Sequence, residues 1–535
     1  MRDLADLLLV MAAGTALALF WARLVYLLRM LQIEEYDTRR FVHWVVLHVD
    51  RLAANPLLDL LALGGALALF LRLEPVPSMV VYSLSTAVGL VGLLWERRLG
   101  ARSPVKKALV MTPRARRLLA CTAILSTGMC LAPLAGQARL ALVVACLLPT
   151  MAPLVLVVSG TIMEPVEASI RDWYVRDARR TLAGFAPTVV GITGSYGKTS
   201  TKFFTVHLLE SRYRVLMTPE SYNTAMGICR VIRGQLGPEH EVFVVELAEN
   251  ERGGFEHLLS LVPCSISIVT SVGLQHLEEF GSEVAIRRVM QGFVRMPGSG
   301  PTVVLNGDDP VLADLGNMHG KRLLRASASG SPSSDLRAES TMIGVDGLSF
   351  DIVTNQGERF PCQTMLLGRH NVENILLAVA VAREFGVSWN AIQDSVATLQ
   401  APPHRLQMMA GAGGVRIIDD AFNSNPAGFA MAMEVLAAFP SRRILVTPGL
   451  VSLGDAEDAA NSEAGRQAAG AADTVILVGP KKTRPVREGL VMAGFPETSI
   501  LTARSLEEVT VLMRSLVTPG DTVMFENDLP DTYNE

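Results

Sequence analysis

Hydrophobic and polar positions divide the chain into two textures. Before about residue 165 the apolar residues come in long runs: Leu7–Leu28, interrupted by charge only at Arg23, then Pro56–Leu71, Met79–Trp95, Leu118–Ala135 and Leu140–Ile162. No amphipathic period relieves these runs, and several approach the roughly 20 residues a helix needs to cross a hydrocarbon core. They predict five membrane-spanning helices, with Pro56–Leu71 the shortest. From about Thr188 the apolar runs shrink to strand length and alternate with helical patterns. Strands are expected at Pro187–Thr193, Glu241–Glu246, Ser265–Thr270 and Pro301–Leu305, and a helix over Lys198–Ser211. Ser327–Asp335 reads as a polar surface loop. After the punctuation at Ala401-Pro-Pro-His404 a second set begins, with strands at Val415–Asp419, Arg443–Val446, Thr474–Val478 and Asp521–Phe525. Strands that alternate with crossover helices imply parallel sheets.

Composition sharpens the division. The chain has 535 residues, 50% of them hydrophobic and 19% charged, which is long enough for several domains and unusually apolar for a soluble enzyme. Disorder and collagen-like structure are excluded. A net charge of −4 gives no basis for a nucleic acid partner. The six cysteines form no C-x-x-C pair, so neither a zinc site nor a disulfide framework is expected. Basic residues alternate with the apolar runs: Arg29, Arg39, Arg40 and Arg51 after the first, eight between Arg97 and Arg117, and four between Arg171 and Arg180. Five spans with an external N-terminus would put these loops, and everything after the fifth run, on the cytoplasmic side of the inner membrane. The competing readings of this half are a signal peptide for the first run and a buried helix bundle for all of them.

The strongest chemical motif is Gly191-Ile-Thr-Gly-Ser-Tyr-Gly-Lys-Thr199, lying between a strand and a helix. Glycines let such a loop turn its N–H groups toward phosphate at the helix N-terminus, the lysine reaches the β- and γ-phosphates, and the Thr199 hydroxyl ligates Mg²⁺. Gly194, Ser195, Tyr196, Gly197, Lys198, Thr199 and Ser200 are therefore the expected ATP contacts. The generic pattern asks for glycine where this chain has Ile192.

That departure resembles the T-G-x-x-G-K-T-S loop of the Mur ligases, which join a carboxylate to an amine at the expense of ATP. Further segments resemble the family in order: Thr218-Pro-Glu-Ser-Tyr-Asn223, Glu246 at a strand end, Thr270-Ser-Val-Gly-Leu-Gln-His276-Leu-Glu-Glu-Phe-Gly281, Asn306-Gly-Asp-Asp309, Gly368-Arg-His370-Asn-Val-Glu-Asn374, His404-Arg405 and Asp419-Asp420-Ala-Phe-Asn423-Ser-Asn425-Pro426. The last is similar to the D-D-S-Y-N-A-N-P of MurF-type ligases, which add D-Ala-D-Ala to a muramoyl tripeptide. The resemblance spans roughly Thr188–Phe525. It implies a P-loop α/β ATPase domain at 181–402 and a Rossmann-like α/β domain at 403–535, behind a membrane region at 1–180. It further implies ATP and Mg²⁺ as cofactors, Glu246 and His276 as metal ligands beside Thr199, and Asn306, His370, Asn374, Arg405 and Asp420 on the nucleotide. Lys198, His276 and Arg405 would be catalytic, and Asn223, Asn423 and Asn425 would contact substrate. Taken singly, several of these have plainer readings: Asn371, Asn374 and Asn423 as caps, Arg405 as a linker charge, Asn306 and Asp309 as turn residues.

Three positions depart from the family. Met290 stands where a metal-bridging lysine is usual, Phe422 replaces a tyrosine, and Pro448-Gly-Leu-Val-Ser452 replaces an acidic segment. Membrane runs occupy the place of the UDP-gripping N-terminal domain. The expected activity is thus an envelope-related amide ligase working through an acyl phosphate, with the bilayer as a partner. Its substrates would be an amino-acid or peptide amine and a carboxylate acceptor, lipid-linked or polymeric. The alternatives are an anchored UDP-muramoyl-tripeptide ligase, a poly-γ-glutamate synthetase-like enzyme, and a nucleotide-binding membrane module that has lost catalysis.

Overall fold

The computed structural model describes residues 2–48, 109–131, 138–219, 222–248, 254–273, 283–313, 315–316, 319–422, 424–451 and 453–528. The runs Pro56–Leu71 and Met79–Trp95 and the basic segment 97–107 lie outside these residues. Two compact units are present, one formed by residues up to Asp172 and one from Trp173 onward.

In the first unit the described helices are α1 (Arg2–Ile33), α2 (Thr38–Leu47), α3 (Pro113–Leu131) and the start of α4 (Ala138–Phe185). Among the described residues two stretches are long and apolar enough to cross a membrane, Ala13–Ile33 in α1 and Leu147–Phe185 in α4. Helix α3, expected as a span, is not one of them; it opens on Arg114, Arg116 and Arg117. Phe20, Leu24, Leu27, Phe41, Leu148 and Leu156 form the core of this unit. Arg117 grips Glu167 through two hydrogen bonds of 2.7 and 2.8 Å.

Prolines Pro149, Pro153 and Pro165 sit inside α4. Pro153 has no N–H, so the carbonyl of Pro149, four residues back, loses its helical donor. Arg23 Nη1 supplies one instead, at 3.2 Å. A buried arginine inside the apolar α1 therefore answers a gap in the backbone ladder of α4.

The second unit holds two sheets. The larger has the order β2-β3-β1-β4-β5-β6-β7-β8-β9, with β1 Thr188–Thr193, β2 Val215–Met217, β3 Val242–Glu246, β4 Ile266–Val269, β5 Thr302–Asn306, β6 Arg322–Ser327, β7 Leu336–Gly344, β8 Gly347–Thr354 and β9 Arg359–Thr364. Strands β2 to β7 pair in parallel, and β8 and β9 extend the edge antiparallel. Strands β3 and β4 are buried at every position, as a parallel sheet covered on both faces requires. One face carries α5 (Lys198–Glu210), α9 (His370–Glu384) and α10 (Trp389–Ala397). The other carries α6 (Ala225–Gln235), α7 (Gly254–Leu261) and α8 (Glu283–Arg295), together with Val175, Ala178 and Leu182 of α4.

The smaller sheet runs β10-β11-β15-β12-β13-β14: β10 Gln407–Ala410, antiparallel to β11 Arg416–Asp420, then β12 Arg443–Thr447, β13 Thr474–Val478, β14 Ile500–Ala503 and β15 Thr522–Glu526, all parallel. Helices α11 (Pro426–Ala437), α12 (Glu457–Ala471) and α13 (Arg484–Met492) pack on one face and α14 (Leu506–Leu516) on the other. Crevices at the carboxyl ends of parallel strands are where such sheets bind ligands, and β11 ends there in Asp420 and β15 in Glu526.

Candidate active site

Strand β1 delivers the chain into a tight loop, Gly194–Gly197, and α5 starts at Lys198. Gly194 and Gly197 take φ of 136° and 79°, a region L side chains avoid. Space closes the argument: a Cβ on Gly194 would strike Thr270 Oγ1, and one on Gly197 would strike the Asn374 carboxamide. The loop is pinned from outside by the stretch after β4. Ser195 N–H donates to the Ser271 carbonyl at 2.6 Å, Gly273 N–H donates to Ser195 Oγ at 2.8 Å, and Thr270 Oγ1 donates to the Tyr196 carbonyl. Lys198 folds over its own loop, Nζ donating to the carbonyls of Gly194 at 2.6 Å and Ser195 at 3.0 Å. Burial pulls its ammonium down to about 8; Glu246 opposes that and Arg405 adds to it.

Glu246, at the end of β3, is buried and gathers three donors. Thr199 Oγ1 lies 3.1 Å and Lys202 Nζ 3.2 Å from Oε2, and Asn223 Nδ2 lies 3.3 Å from Oε1. Its backbone N–H donates to Thr218 Oγ1 at 3.2 Å. Lys202 is the residue sequence reasoning missed, and Thr218, the head of a family-like segment, had been given no role. A charged side chain one helical turn past Lys198, on the same face of α5, was the available signal.

Arg405 enters from the start of the second sheet domain. His404 and Leu406 on either side have φ of 60° and 47°, conformations that cost about 1 kcal/mol or more each for such side chains. Neighbouring contacts hold them: His404 Nδ1 is 2.8 Å from Asp419 Oδ2, and Leu406 N–H donates to Asp420 Oδ1 at 3.0 Å. The guanidinium lies over the Phe422 ring, 4.5 Å from its centroid. Burial raises the Asp420 carboxyl to about 6, against the pull of the Leu406 N–H and Arg405. His370, half-buried near Arg405, is pushed down to about 4, mainly by desolvation and further by Arg405. Its Nδ1 has no hydrogen-bond partner among the described residues.

The remaining candidates are occupied locally. Asn374 is buried, accepting from Thr201 Oγ1 at 3.1 Å and donating to Asn371 at 3.3 Å. Asn306 accepts from Asp308 N–H at 2.9 Å within its turn. Asn425 caps α11 through the N–H groups of Ala427 and Gly428. Ser200 is buried in α5. Met290 packs in the core cluster with Phe255 and Phe293. His276 and Asn423 lie outside the described residues.

The structure therefore brings Lys198, Thr199, Glu246, Asn223 and Arg405 into one electrostatically coupled group. Thr199 Oγ1 and the Glu246 carboxylate converge as hard oxygen donors, a set that suits Mg²⁺, which takes its remaining ligands from phosphates and water. The curled loop, its lysine and the orphaned His370 Nδ1 suit a nucleoside triphosphate. Fold and loop together define a P-loop nucleotide-using enzyme built from two α/β domains.

Comparison with known proteins gives the family. The pattern of the Mur ligase middle domain matches residues 192–382, and that of the Mur ligase, glutamate ligase domain matches 404–526. The UDP-N-acetylmuramoyl-tripeptide–D-alanyl-D-alanine ligase of Escherichia coli (strain K12) is 28% identical over 328 residues, 59% of this chain and 72% of its own. The enzyme of that name from Mycobacterium tuberculosis (strain ATCC 25618 / H37Rv) is 34% identical over 260 residues, 47% of this chain and 49% of its own. Among solved structures, the MurF ligase from Thermotoga maritima in complex with ADP is similar with a TM-score of 0.58 and 25% identity, covering 67% of this chain and 80% of that one. The chain belongs to the Mur ligase family and is an ATP-dependent, Mg²⁺-using ligase that forms amide bonds.

Proposed function

We propose that the chain is a membrane-anchored, MurF-like ligase that makes a peptide bond in cell-envelope synthesis, its carboxylate acceptor lipid-linked or part of a growing polymer. On this reading residues 1–180 form a multi-pass region of the inner membrane, and the domains at 181–402 and 403–535 work on the cytoplasmic side. The observation that carries the reading is the convergence of Lys198, Thr199, Glu246 and Arg405. Carboxylate attack on the γ-phosphate asks little covalent work of the protein, so charge neutralisation and alignment dominate. Lys198 and Arg405 supply positive charge from two domains, and Asn223 steadies Glu246. Thr199 and Glu246 would hold Mg²⁺, which would supply further positive charge, and His276 would serve a second metal by family analogy. By family analogy Asn423 and Asn425 would contact substrate, and Asp420 the ribose.

The names of the relatives favour a second reading, an anchored UDP-muramoyl-tripeptide–D-Ala-D-Ala ligase. One assay separates the two. The full chain in lipid nanodiscs is given UDP-muramoyl-tripeptide or a membrane-bound acceptor, each with a panel of amino acids and dipeptides, and phosphate release and product mass are read. The membrane acceptor is expected to stimulate more strongly, and Lys198→Ala to abolish the response. Efficient ligation of D-Ala-D-Ala to the soluble precursor would restore the second reading. Undiminished turnover by the Lys198 variant would sink both.

A further inference from the structure

Helix α6 and the Trp173–Tyr174 stretch of α4 border an open pocket lined by Tyr174, Met226, Arg230, Arg233 and Gly234. The lining residues of α6 stand at positions i, i+4, i+7 and i+8, one face of the helix, while Ile228, Cys229, Val231 and Ile232 are buried in the core. Arg233 is fixed in place. Its guanidinium lies 4.3 Å from the Tyr174 ring centroid and 4.8 Å from that of Trp173. Asp177 takes its Nε edge, at 2.5 Å. A guanidinium immobilised in this way has little entropy left to lose when it binds an oxyanion. Arg230, one turn earlier, is exposed; among the described residues it donates to the Tyr222 hydroxyl at 3.4 Å and lies 6.0 Å from that ring's centroid. Among the described residues the pocket lining itself contributes no carboxylate, Asp177 pairing with Arg233 from beside it. Beside Gly234 there is open space: a Cβ there would meet nothing within 4 Å.

Two guanidinium groups one helical turn apart, backed by aromatic rings, match a ligand with two adjacent anionic groups. The same helix reaches the reaction centre. Thr224 caps its N-terminus, and the preceding Asn223 donates to Glu246 at 3.3 Å. Arg230 lies six residues beyond Thr224, about 9 Å along the helix axis.

We infer that this pocket docks the diphosphate handle of the carboxylate substrate and so positions its reacting end at Lys198 and Glu246. The inference rests on the ligase reading and adds where remote binding energy is gathered. A polyprenyl diphosphate carrier and a nucleoside diphosphate share this chemistry. The test uses the full chain in nanodiscs of zwitterionic lipid, its phosphate loop first filled with a non-hydrolysable ATP analogue and Mg²⁺. Pyrophosphate, UDP and farnesyl diphosphate are titrated and binding is followed by calorimetry. Arg230→Gln removes a charge-assisted contact, and Gly234→Trp fills the pocket; each is expected to weaken diphosphate binding about tenfold or more with an unchanged melting curve. Tighter binding of farnesyl diphosphate than UDP assigns the handle to a lipid carrier, and the reverse order assigns it to a nucleotide. Absence of diphosphate binding, or equal affinity in parent and both variants, overturns the inference. Because binding is read without turnover, intact binding in a chain that releases no acceptor-dependent ADP would instead refute the ligase reading.

Discussion

At the scale of single residues, the site is a set of charges held out of water, and this gives Lys198 a distinctive pH response. Its ordinary ammonium value of 10.5 is pulled down to about 8, so the free site keeps its positive charge below that pH and loses it above. Phosphate binding needs the charged form. Nucleotide affinity is therefore expected to be flat below about pH 7.5 and to fall toward tenfold per pH unit above 8, with proton uptake on binding. Calorimetry from pH 6.5 to 9.5 reads this directly, and in Lys198→Met the alkaline slope should vanish. Glu526 shifts the other way: burial raises its carboxyl to about 8, with Thr447 Oγ1 donating to Oε2 at 3.0 Å. A folded-state value above the ordinary 4.5 means stability is lost as pH rises from about 4.5 to 8. Glu526→Gln should thus gain melting temperature over the parent across that interval, and a constant offset at every pH would refute the assignment. The phosphate loop was legible from spacing alone, because its geometry demands particular residues at adjacent positions, whereas Glu246, Asn223 and Arg405 were reached only through the resemblance to the Mur ligases. Lys202 was not, since a lysine in a helix reads as solvated until its carboxylate partner is placed opposite. Asn306 accepts within its own turn, as its plainer reading has it, and Asn425 caps α11.

At the scale of elements, strands whose faces are both covered announce themselves as continuous apolar runs, and β1, β3, β4, β5, β11, β12, β13 and β15 fall within a residue or so of the expected spans. Strands β7 to β9 went unread. They pair antiparallel with one another and are half-solvated, and Leu336–Gly344 shows alternating burial only in its first half, then exposed residues beyond a register shift after Glu339. Helix packing was equally silent. Helices α12 and α13 touch through glycine: a Cβ on Gly465 would run into the Val486 carbonyl, and one on Gly489 into that of Ser462. No side chain can be added there without parting the helices. Gly465→Val should therefore destabilise by about 2 kcal/mol or more, as overpacking a dense core does. Thermal melts check this, and the same change at Gly470, where a Cβ has open space, should cost far less.

At the scale of the whole molecule, the compact unit begins before its first strand. Val175, Ala178 and Leu182 of α4 are buried in the core of the second unit, so a chain started at Trp173 should fold and bind nucleotide. One started at Thr188 should lose about 3 to 5 kcal/mol of apolar burial and melt lower or aggregate. A matched melting temperature for the two fragments would show that the α4 stretch adds nothing. The other unit carries a dependency of a different kind. Because Pro153 silences one donor and Arg23 replaces it, Arg23 is not free to drift while the proline remains. Arg23→Met strands the Pro149 carbonyl in apolar surroundings, whereas Pro153→Ala returns the missing N–H and makes the arginine redundant. The order of substitution then decides the outcome: proline first opens a passable route to an uncharged α1, while arginine first leads through a damaged intermediate. Stability of the two single variants and the double should show this sign dependence, making the pair a one-way gate in the sequence history of the protein.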